Sequence, residues 1–122
     1  MCINLKNKLK KLNINNVINL DGDLFRKKIK NFDYKNKSRN NIGDIKLKIG
    51  EKYKLQGKFV LISGIAHDKL WRRKIKKNTK DYFEIFLKCS LKTCQKRDFK
   101  KQYAKAKEGE IKNFVGIHEK YE

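Results

Sequence analysis

Short apolar runs alternate along this chain with lysine-rich stretches of helical period. Ile3, Leu5, Leu9 and Leu12 stand among lysines with the spacing of one face of an amphipathic helix. "NVINLDGD" follows, a short apolar strand over Val17 to Leu20 that runs straight into Asp21-Gly22-Asp23. From Asn41 to Leu55 the period returns to helical, with Ile42, Ile45, Ile49 and Tyr53 on one face and Gly57 as the stop. "KFVLISGIA" is a continuous apolar run bounded by turn residues, the pattern of a strand covered on both faces. Lys69 to Lys77, around Trp71, reads as a basic helix. "YFEIFLKCS" reads as a third buried strand, and "SLKTCQKRD" as a short helix capped by Ser90. The order is helix, strand, helix, strand, helix, strand, helix, which predicts an α/β fold with a parallel sheet and flanking helices.

Parallel sheets bind ligands at the carboxyl ends of their strands. Three polar stretches fall there: Asp21-Gly22-Asp23, Ser63 to Lys69 and Arg97 to Tyr103. The first presents two carboxylates with a glycine that lets another group approach the backbone closely. Carboxylates beside phosphates work through Mg²⁺ or accept a proton from an attacking hydroxyl; Asp and Gly are also the commonest residues of plain turns. Arg26, on the helix expected next, and Arg39 would each clamp a phosphate or sulfate, or stand as solvated charges. Lys100, Lys101, Lys105, Lys107 and Lys112, interleaved with Tyr103 and Phe114, have the composition of a cationic lid or of an ordinary basic surface.

Composition changes this picture little. With 122 residues the chain fits one domain (1–122), and an apolar fraction of 39% against 38% charged allows a modest core. The net charge of +20 suggests nucleic acid at first. The excess is almost all lysine, 28 against 5 arginines, and arginine is the preferred reader of bases and phosphates. Lys, Asn and Ile make up 53 residues, and A/T-rich coding would produce that mixture, so nucleic acid is not the expected partner. A small anionic substrate suits the charge equally well. Three cysteines without a C-x-x-C, and two isolated histidines, point to reduced thiols rather than zinc. No apolar run is long enough for a membrane span, and no signal peptide is evident, so a cytoplasmic location is expected.

The order of the motifs is more specific than any one of them. "NVINLDGDLFR", "FVLISGIAHDKLWRRK" and "YFEIFLKCSLKTCQKRDFKKQYAKAKEGEIKNFVGIHEKYE" resemble adenylylsulfate kinase, from about Leu5 to Glu122. The likeness is strongest where a family segment of the type "RDxKGLYxKAxxGEIKNFxGI" is matched by Arg97 to Ile117. The resemblance implies a P-loop kinase fold and transfer of the ATP γ-phosphate to the 3′-hydroxyl of adenosine 5′-phosphosulfate, with Mg²⁺. It implies that Asp21 and Asp23 are catalytic and metal-binding, with Asp21 as base or hydroxyl-orienting group. It gives Arg26, Arg39, Asn41, Ile65 and Ala66 to the substrate, with Phe32, or else Tyr34, stacking on adenine. Lys100, Asn113 and Phe114 belong to a substrate lid over 98–118, and Arg97 lies near ATP. The implied partners are the nucleotide-sulfate and MgATP, with a second copy or a complementing P-loop fragment besides.

The chain also departs from the family. No G-x-x-x-x-G-K-[ST] occurs in it and the family's last strand and helix are not matched, so the fold is expected to be incomplete at both ends, with impaired transfer and a P-loop encoded upstream. The family's R-x-x-N-I has one residue fewer between Arg39 and Asn41. Ala66 stands where a serine is expected, and His67 replaces proline. A basic RNA-associating protein and an inactive nucleotide-sulfate-binding remnant are the alternatives.

Overall fold

The computed structural model describes residues 2–98 and 100–122. The chain divides into two compact units, Met1–Asp33 with Lys37–Ile65, and Tyr34–Asn36 with Ala66–Glu122.

The first unit contains α1 (Cys2–Lys11), β1 (Val17–Asp21), α2 (Gly22–Lys28), most of α3 (Asn36–Leu55) and β2 (Phe59–Ser63). β1 and β2 pair in parallel, Val17 opposite Phe59 and Asp21 opposite Ser63, so the two strands end level. A parallel pair needs a long crossover, and α2 with α3 supply it. Val17 and Ile42 are buried. Gly50 lets α3 lie close on the sheet: a Cβ there would meet Ile62 at 3.3 Å, Val60 at 3.4 Å and Leu20 at 3.8 Å.

Two expectations change here. The buried stripe of α3 is Arg39, Ile42, Gly43, Lys46 and Gly50, while Ile45 is exposed. The apolar spacing put the face one position off because the glycines, which permit the approach, carry no hydrophobic signal. β2 is not covered on both faces either; Phe59 and Ile62 are exposed.

The second unit holds α4 (Lys69–Asn78), α5 (Leu91–Lys96) and α6 (Gln102–Lys107). Asp68 caps α4, accepting from Trp71 N at 3.0 Å, and Ser90 caps α5 as expected, accepting from Thr93 N at 3.1 Å. Its core is Ile75, Ala106, Phe114 and Val115. The third expected strand does not form: residues 82–90 are irregular, and the described residues hold a sheet of two strands. Phe83, Ile85, Phe86 and Leu87 are all exposed, Phe83 at 88%. A strand needs a neighbour for its N–H and C=O groups as well as an apolar pattern, and here only the pattern is present.

Candidate functional site

The level strand ends build a polar corner in the first unit. Asp21 is the last residue of β1 and the N-cap of α2. Its Oδ1 accepts from the backbone N–H groups of Asp23 and Leu24, both at 3.0 Å, satisfying two donors that a helix start leaves orphaned. Its Oδ2 accepts from the Ser63 hydroxyl at 3.0 Å. The carboxylate is thereby aimed from both sides at the carboxyl end of the sheet.

Lys46 completes the corner. Its ammonium donates to the Ser63 carbonyl oxygen at 2.8 Å, with only 5% of the residue exposed. Burial pushes its pKa below the ordinary lysine value of 10.5; Asp21 pulls it back up, Arg26 pushes it down and Asp23 pulls it up. A Cβ at Gly22 would come within 2.9 Å of the Ser63 carbonyl oxygen and 3.3 Å of Lys46 Nζ. A Cβ at Gly64 would come within 3.1 Å of the same Nζ. The group that approaches Gly22 closely is therefore the protein itself. The sequence reading missed Lys46; the available signal was a lysine four residues after Ile42 and four before Gly50.

Asp23 is exposed in the first turn of α2, where negative charge is favoured. Arg26 donates to the carbonyl oxygens of Asn31 at 3.4 Å and Asp33 at 2.8 Å, so it ties down the loop after α2. Phe32 is 61% exposed. Arg39 is buried on α3, whereas Asn41 on the same helix and Ile65 after β2 are exposed.

In the second unit, Ala66 offers its carbonyl oxygen to Arg72 at 2.6 Å. Tyr34, Tyr103 and Phe114 form an edge-on aromatic group, with Phe114 centroids 6.4 Å from Tyr34 and 5.0 Å from Tyr103. Phe114 is buried; Asn113 precedes it at φ 57°. The turn that follows is closed by Phe114 N donating to His118 Nδ1 at 3.1 Å and by His118 N donating back to the Phe114 carbonyl at 2.8 Å. Gly116 passes at φ 94°, where a Cβ would meet Leu91 at 3.0 Å. Lys100 and Arg97 are exposed. Phe99, within the expected lid, lies outside the described residues.

Parallel strands joined through helices, with polar side chains gathered at their carboxyl ends, define an α/β protein of the P-loop kinase type. A family model described as adenylylsulphate kinase matches residues 1–122, and the chain belongs to that family of enzymes. It is similar to a probable adenylyl-sulfate kinase of Synechocystis sp., 42% identical over 66 residues, which are 54% of this chain and 37% of that protein. An adenylyl-sulfate kinase of Synechococcus sp. (strain JA-3-3Ab) is 32% identical over 105 residues, 84% of this chain and 59% of the relative. A probable adenylyl-sulfate kinase of Bacillus subtilis is 52% identical over 42 residues, 34% of this chain and 21% of that protein. The chain thus spans less than two thirds of each of these relatives.

Proposed function

We propose that these residues form the acceptor side of an adenylylsulfate kinase, which binds adenosine 5′-phosphosulfate and orients its 3′-hydroxyl for phosphorylation by ATP. The observation that carries this reading is the Asp21 corner. A carboxylate fixed by two backbone N–H groups and a hydroxyl, at a strand's carboxyl end, is suited to accept a hydrogen bond from a substrate hydroxyl. Phe32, 61% exposed, or else Tyr34 is proposed to stack on the adenine. Arg26, Arg39, Asn41, Ile65, Ala66, Lys100 and Asn113 are proposed as the remaining substrate contacts, and 98–118 as the lid.

The donor side is a different matter. The 122 residues contain no G-x-x-x-x-G-K-[ST], the motif that cradles ATP phosphates. Among the described residues, no three His, Cys, Asp or Glu gather into a metal site. Both Asp21 oxygens are engaged. Exposed Asp23 fits the water-mediated role that Mg²⁺ asks of a lone carboxylate when phosphates supply its other ligands. The missing cradle favours a second reading for these residues alone, binding without transfer.

Calorimetry with adenosine 5′-phosphosulfate and its 3′-deoxy analogue tests the proposal. Wild-type chain is expected to bind the deoxy analogue about ten-fold more weakly, a hydrogen bond to a charged group. Asp21→Ala is expected to treat the two ligands alike. Equal binding by the wild type would overturn the role of Asp21. Binding of the nucleotide should persist at 200 mM salt, where polyanion binding falls steeply. A coupled MgATP assay separates the two readings.

A further inference from the structure

The acceptor-side reading leaves unexplained why a lysine is buried where two strands end. We propose that Lys46 is a positioning residue of the site: its ammonium, wedged between Gly22 and Gly64 on the Ser63 carbonyl, holds the Ser63–Asp21 pair in place.

Three observations carry this. The first is the bond from Lys46 Nζ to the Ser63 carbonyl oxygen, 2.8 Å, on the same residue whose hydroxyl donates to Asp21 at 3.0 Å. A shift of the lysine therefore moves the serine, and the serine moves the carboxylate. The second is the slot. Substituents at Gly22 and Gly64 would press on the ammonium at 3.3 Å and 3.1 Å, so both glycines keep open a space that the ammonium occupies. The third is burial. Only 5% of Lys46 is exposed, so this one of 28 lysines keeps its charged end out of solvent at the strand ends. A lysine serving only as packing would not need its charged end there; Met or Leu would fill the volume without desolvating a cation.

The role assigned to Asp21 rests on the acceptor-side reading, whereas the coupling of Lys46 to the Ser63–Asp21 pair does not, and it is measurable without any ligand. The experiment is amide hydrogen exchange at Asp23 and Leu24, the two N–H groups held by the Asp21 carboxylate, in the full 122-residue chain. In Lys46→Met both amides are expected to exchange about ten-fold faster, while the amides of α4 keep their protection. Unchanged protection at Asp23 and Leu24 in a folded Lys46→Met overturns the proposal. Gly64→Ala, whose Cβ would press on the ammonium at 3.1 Å, is the second variant, and unchanged protection there overturns it as well. If the two amides respond and the 3′-deoxy analogue still binds as well as the substrate, the positioning stands and the acceptor-side reading fails.

Discussion

At the scale of single residues, Lys46 makes stability depend on pH in a definite direction. Its folded-state pKa lies below the unfolded value, so between the two the unfolded chain binds the additional proton. Across that window stability rises with pH, and below it the buried ammonium is a constant cost. Wild type is therefore expected to gain stability relative to Lys46→Met as pH is raised towards 10.5, the comparison cancelling the other lysines. Thermal melts of the two proteins from pH 7 upward check this; a constant or widening Met advantage would contradict it. The position of Asp21 at the end of β1 is legible in the sequence, because an acid directly after an apolar run is a recognisable pattern. Lys46 is not, because a lysine in a chain with 28 of them carries no signal until a helix face is assigned. Tyr34 and Phe114 lie far apart in sequence, and only the fold brings their rings together.

Among the elements, the shortest depend on their caps. α6 has six residues, too few to be stable by propensity. The Asp98 carboxylate holds its start, accepting from the N–H groups of Gln102 at 2.8 Å, Tyr103 at 2.8 Å and Ala104 at 3.1 Å. Asp98→Ala is expected to cost about 1–2 kcal/mol and to lower the melting temperature. Hydrogen exchange at residues 102–104 should speed up in parallel, while Asp98→Asn should retain most of the stability. Elements whose signal is local were read well from the chain: β1, β2, α4 and the Ser90 cap of α5. Those that depend on neighbours were not. The run 82–90 has the same apolar character as β2, yet without an adjacent strand it pairs with nothing in the described sheet. The face of α3 was set by Gly43 and Gly50, whose contribution is an absence of side chain.

For the whole molecule, a charge of +20 would draw in the anionic nucleotide that the acceptor-side proposal assigns to it. The same charge has a further consequence through residues 82–90. That run contains Phe83, Ile85, Phe86 and Leu87, all exposed, with one acid, one lysine and no proline between them. Such a window is the raw material of intermolecular cross-β stacking. At low ionic strength, like-charged copies keep one another at a distance. Added salt shortens the reach of that repulsion to roughly 8 Å at 0.15 M, so the copies meet more often. Light scattering of concentrated chain is therefore expected to rise with salt, and Phe83→Lys with Phe86→Lys should suppress the rise. Scattering independent of salt, or unchanged by the two lysines, would refute this. Colloidal behaviour, on this account, is governed by a segment that takes no part in the Asp21 corner.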